Sequence, residues 1–166
     1  MKRMLVTLIA LAVPAVCADL NLVQTLTGHW KTSKAYTIAI AEQMPEDGYA
    51  SKPNPEQMTF AGQLEHIAQV NAYFISTVTG AKSPLGKPEK HDKASVIKML
   101  NDSYDWVIKE VAALTPDKLS KMIDTGEGKM SGLDALLLAA DHTTHHRGQC
   151  VVYLRVKNIK PADYRF

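Results

Sequence analysis

From Ser131 to about Lys157 the chain runs without a proline, and apolar residues recur there at three- and four-residue steps. That spacing is the signature of one face of a helix. Ser131 stands where an N-cap would, with Asp134 three residues on approximating the reciprocal capping pair. Asn158 and Pro161 end the segment. A helix of about 26 residues follows from these signals. It can be buried only against other elements of similar length.

The chain supplies three more. Leu22, Leu26, His29/Trp30, Ser33, Tyr36/Thr37 and Ile40 mark a first helix between Leu20 and Met44. Pro45 and Asp47-Gly48 stop it, and Ser51–Pro55 reads as a loop. Thr59 can cap a second helix to about Val78, with Phe60, Leu64, Ile67, Asn71, Phe74 and Val78 as its stripe. The segment from Ala81 to Asp92, with Pro84, Gly86 and Pro88, reads as a loop. A third helix spans about Lys93 to Leu114 on Val96/Ile97, Leu100, Tyr104, Val107/Ile108, Val111 and Leu114. Pro116 opens a short helix to Ile123, and 124–130 reads as a loop or weak hairpin. No strand-like alternation of any length, repeat or low-complexity tract occurs. Four amphipathic helices joined by modest loops predict an all-α, antiparallel four-helix bundle.

At 166 residues and 46% hydrophobic content the chain suits one domain. Residues 1–18 are expected to lie outside it. Lys2 and Arg3, then the apolar run Met4–Val16, then the small-residue ending at Ala18 form a signal-peptide pattern. The run is too short for a membrane span. Pro14 and Val16 fit a lipid-attachment signal at Cys17 poorly. The expectation is therefore export, to the periplasm or the medium, with a domain over 19–166. That segment carries 17 basic and 17 acidic side chains, which argues against nucleic-acid binding through a basic field. Its single Cys150 excludes an internal disulfide, so a sufficient core must hold it together.

The chemistry concentrates in Asp141–Gln149, which holds His142, His145 and His146. His142 and His146, four apart, share a helix face with Cβ atoms roughly 5–6 Å apart. The track Leu138/Ala139, His142, His146, Gln149/Cys150, Tyr153 is expected to face inward. Two unpartnered imidazoles there would be costly, and a metal ion would satisfy both. His145, rotated about 100° from each neighbour, is assigned to the surface or to a supporting hydrogen bond. His66, on the flank of the second helix, is the third candidate ligand. Three imidazoles would leave an open coordination position, the pattern of catalytic rather than structural zinc sites. Such a position could activate water or take a thiolate. Imidazoles do not fix the metal. His29 and His91 read as incidental. Glu65 and Asp141 are candidate acceptors for the ligands' second nitrogens. Arg147 is expected to make an ion pair or a helix-end contact, and Gly148 to admit a close helix. Tyr73, Tyr153 and Glu65 are candidate acid–base groups.

These residues carry a resemblance. Met44-Pro45-Glu46-Asp47, Phe60 with Leu64-Glu65-His66-Ile67, and His142-x-x-x-His146-Arg147-Gly148-Gln149 followed by Tyr153-Leu154-Arg155 resemble the DinB-like (DinB/YfiT-type) metalloenzyme family of four-helix bundles. The resemblance implies a metal triad of His66, His142 and His146, a divalent ion such as zinc or nickel, and homodimers. It also implies a small-molecule substrate, since characterised relatives include thiol-dependent S-transferases and isomerases. Three functions compete. One is a metal-dependent transferase or hydrolase. The second is a non-catalytic or stress-related metal binder whose ion staples the helices. The third is a small-ligand or interaction module in which the histidines are incidental.

Overall fold

The computed structural model describes residues 21–126 and 128–165. The expected signal peptide lies outside them. The chain is mostly helical, in the order α1 (Leu22–Gln43), α2 (Phe60–Thr79), α3 (Lys93–Ala112), α4 (Pro116–Ser120), β1 (Met122–Asp124), β2 (Lys129–Ser131) and α5 (Gly132–Val156). The long helices pack α1 on α3, α3 on α2, α2 on α5 and, more thinly, α5 on α1. Among the described residues no helix is long and apolar enough to cross a membrane.

Each boundary has a local cause. The side chains of Asn21, Thr59, Asp92 and Thr115 accept backbone N–H groups of the first turns of α1, α2, α3 and α4. Ser131 and Asp134 close a reciprocal capping box at the start of α5. Gly80 ends α2 at φ 78°, a left-handed backbone that glycine adopts without strain. The carbonyls of Glu42 and Met44 at the end of α1 accept from the Lys93 ammonium, 2.7 and 2.8 Å away. The two three-residue strands pair antiparallel, Met122 opposite Ser131 and Asp124 opposite Lys129. Ile123 therefore sits in a strand and not in the short helix. Each strand has three residues, too few to alternate for a periodic signal to stand out.

The expected stripes of α1, α2 and α3 are buried, from Leu26, Trp30 and Ile40 through Phe60, Leu64 and Ile67 to Leu100, Tyr104 and Val107. Burying side chains of this size contributes about 1.5–3 kcal/mol each. The rotation of α5 differs from the expected one. Its inner line is Leu136, Ala139, Thr143, Arg147, Cys150 and Leu154, while Leu138 is 37% exposed. Leu137, Leu138 and Val152 make the outer face of α5 apolar too, so hydrophobicity alone distinguishes its sides weakly. His142 and His146 consequently lie on the flank towards α2, half-buried, and not in the core.

Two further expectations are corrected. Arg147 makes neither a surface ion pair nor a helix-end contact. It is buried, donates to Ser33 Oγ at 2.9 Å and to Thr37 and Thr144 Oγ1 at 3.4 Å, and lies 4.9 Å from the Tyr36 ring centroid. Gly148 admits no close helix, since a Cβ there would meet nothing within 4 Å. The glycine of closest approach is Gly132, whose added Cβ would stand 2.2 Å from the Lys118 carbonyl oxygen.

Candidate metal centre

The α2–α5 seam brings His66, His142 and His146 together across the gap in sequence. One ring nitrogen of each lies within 4.8 Å of the others. His142 Nε2 and His66 Nε2 are 3.1 Å apart. The ring centroids are 4.4–4.8 Å apart, His142–His146 being the nearest pair. A tetrahedral ion bound at ordinary zinc–nitrogen lengths sets its ligand nitrogens about 3.3 Å apart. The donor set therefore fits one divalent ion after side-chain adjustment of about 1.5 Å. Without an ion, the 3.1 Å contact is one N–H donating to one lone pair.

The electrostatics favour lone pairs over N–H⁺ groups. Loss of water on burial, followed by the neighbouring imidazoles, pushes His142 and His146 from 6.5 down to about 4. Burial lowers His66 as well. Neutral imidazole is the form that ligates a metal.

His146 is oriented from behind. Its Nδ1 lies 2.6 Å from Gln63 Oε1, so the ring donates there and turns Nε2 towards the other two histidines. Gln63 is buried, one turn before His66, and its amide nitrogen donates to Tyr153 Oη at 3.4 Å. Tyr153 in turn donates to the Met58 carbonyl at 2.5 Å. Neither Glu65 nor Asp141 does this work, although both were candidates by sequence adjacency. Asp141 is exposed, and the buried Glu65 carboxylate instead holds His91 Nδ1 at 2.7 Å. His91 is thus exposed but not incidental. His142 Nδ1 is buried without a hydrogen-bond partner. His145 is exposed and packs edge-on against His146 at 4.9 Å. His29 lies apart, edge-on to Trp30. Burial, and then the Arg147 charge, lower its pKa.

Of the candidate acid–base groups, Tyr73 commits its hydroxyl proton to the Thr125 carbonyl at 2.7 Å, as Tyr153 does to Met58. Beside the cluster is a concavity of about 570 Å³ whose walls include Tyr49, Met58, Ala61, Glu65, His66 and His91. That volume lies within the usual range for small-molecule sites. Gln63 and the Glu65–His91 pair were not identified as partners from sequence. The only sequence signal for Gln63 was an amide on the helix face of His66 one turn earlier.

Comparison with known proteins agrees with the fold. The profile of the DinB superfamily matches residues 29–150. An uncharacterized protein of Bacillus subtilis (strain 168), YjoA, is 24% identical over 134 residues, which are 78% of this chain and 87% of that one. The crystal structure of the DinB-like YjoA superposes with a TM-score of 0.73 at 22% identity, covering 84% of this chain and 96% of that one. A DinB-like protein from Bacillus cereus gives 0.73 at 18% identity, with 85% and 97% covered. A DinB-family protein from Exiguobacterium sibiricum gives 0.65 at 19%, with 83% and 93% covered. At these identities the structures speak for the shared fold, and the profile match over most of the chain speaks for descent: this chain belongs to the DinB superfamily.

Proposed function

We propose that His66, His142 and His146 hold one divalent ion, zinc or nickel, and that the loaded protein is a metal-dependent enzyme of the thiol S-transferase or hydrolase type acting on a small molecule. The observation that carries this reading is the convergence of three neutral imidazole nitrogens within 4.8 Å on a half-exposed flank. A bound ion there supplies Lewis-acid activation of a water or thiol at a position the protein leaves unfilled. The chain's own part is to fix the three rings, His146 through Gln63, and to offer the adjoining concavity to the substrate. In this reading the four long helices are an antiparallel four-helix bundle, exported after cleavage near Ala18 and paired as a homodimer.

The competing reading is a non-catalytic protein whose ion staples the helices. The α2–α5 seam position suits a staple, but the half-exposure of all three rings favours a centre that a substrate reaches. Elemental analysis of protein purified from its native compartment tests the metal. About one ion per chain is expected, with loss in His66→Ala and His142→Ala. Metal-free wild-type protein, or unchanged metal content in His142→Ala, would overturn the reading. A panel of thiol-transfer and hydrolysis substrates then separates the enzyme from the staple.

A further inference from the structure

The buried carboxylate of Glu65 is 9% exposed and is met by one imidazole from the loop before α3. An ionised carboxylate only accepts hydrogen bonds, so the proton of the 2.7 Å contact sits on His91 Nδ1. That assignment commits Nδ1 and leaves Nε2 as the ring's second hydrogen-bonding nitrogen. The His91 side chain is 66% exposed, and it shares the concavity beside the cluster with His66. A simple tether for this loop had better material at hand. Lys87 and Lys90 flank Glu65 across a neighbouring cavity, and a lysine ammonium would neutralise the carboxylate outright. The histidine instead uses one nitrogen to be held and keeps the other for something else. Met58 and Ala61 offer apolar surface in the same concavity.

We propose that His91, held by Glu65, is a ligand-recognition residue. It selects small molecules that carry a metal-seeking donor atom at one end and a hydroxyl group further along, which hydrogen-bonds to His91 Nε2. The inference rests on the three-histidine cluster holding an ion.

The test uses full-length protein loaded with cobalt(II), whose thiolate charge-transfer absorption reports thiol binding directly. The probes are ω-mercaptoalkanols of two to six carbons and alkanethiols of matching length. For wild-type protein, one chain length of the alcohol series should bind roughly 3- to 10-fold more tightly than its alkanethiol, the effect of one added hydrogen bond. His91→Ala should abolish that preference while leaving alkanethiol affinity and cobalt content unchanged. If the hydroxyl confers no advantage at any length, the proposal is wrong and the metal centre stands. If His91→Ala weakens both series equally, the residue supports the loop and does not read the ligand. If wild-type protein retains no cobalt, both readings fall together.

Discussion

Replacing Gln63 by leucine should weaken metal binding without unfolding the protein. Gln63 is buried, and its Oε1 receives His146 Nδ1 at 2.6 Å, the shortest polar contact made by any of the three cluster histidines. Leucine is similar in size but offers no acceptor. The His146 N–H would lose its partner and the ring would be free to turn. Second-partner losses of this kind cost about 10- to 100-fold in metal affinity, or about 1.4–2.7 kcal/mol. The other bond that Gln63 makes, to Tyr153 at 3.4 Å, is long and contributes little, and Tyr153 keeps the Met58 carbonyl. The apoprotein should therefore lose about 0.5–1.5 kcal/mol, for one hydrogen bond lost at a half-buried ring. Gln63→Glu, which keeps an acceptor, should bind metal at least as well as wild type. Competition for zinc against a chromophoric chelator measures the affinities, and urea unfolding of the apoproteins measures the stabilities. Wild-type affinity in Gln63→Leu would refute the orienting role. A loss as large as that of His146→Ala would refute it too, by making Gln63 equivalent to a ligand.

Acidification should destabilise the apoprotein between pH 6.5 and about 4. His142 and His146 take up protons near 6.5 when unfolded but near 4 when folded, so stability is full above that window and falls through it; urea midpoints across the range check the slope. Gly132→Ala should cost about 1–3 kcal/mol, because its Cβ would stand 2.2 Å from a backbone oxygen of α4 that cannot move alone. Gly148→Ala should instead gain about 0.5–1 kcal/mol, since the space there is open and glycine is a poor helix former; thermal melts of both variants decide. Arg147→Ala should cost about 2–4 kcal/mol in denaturant titrations, through the emptied volume and the lost packing on Tyr36.

The parts legible in the sequence were those with local causes. The stripe from Phe60 to Val78 is periodic because one side of α2 is buried and the other is not. Thr59 and the Ser131–Asp134 pair announce helix starts because capping needs only neighbours a turn away. The approach of His66 to His142 and His146 was suggested by a four-residue spacing and a family resemblance, and the seam between α2 and α5 supplies it. What escaped depends on contacts between helices. A lone glutamine on a helix face has no spacing that marks it, so Gln63 became visible only with His146 beside it. The burial of Arg147 ran against the usual exposure of guanidinium groups, and the hydroxyls that permit it lie more than a hundred residues earlier in the chain.

That buried arginine also bears on where the histidines stand. Because α5 is apolar on its outer face as well, hydrophobic burial by itself would tolerate several rotations of the helix. Polar contacts are less permissive, since each buried donor needs its own acceptor. Arg147 reaches Ser33 and Thr37 on α1, the same hydroxyls that bond Tyr104 of α3 at 3.2 and 2.8 Å. Thr143, one turn earlier, donates to Asn71 of α2 at 2.9 Å. A slip of α5 by one residue would turn its side chains about 100° and shift them about 1.5 Å, breaking these bonds in the interior. The same slip would carry His142 away from His66 and His146 away from Gln63. Thr143 and Arg147 each follow a cluster histidine by one position, so the inner line of α5 sets the register and the adjoining line presents the imidazoles. The geometry of the centre is thus set by polar residues that need never touch a metal.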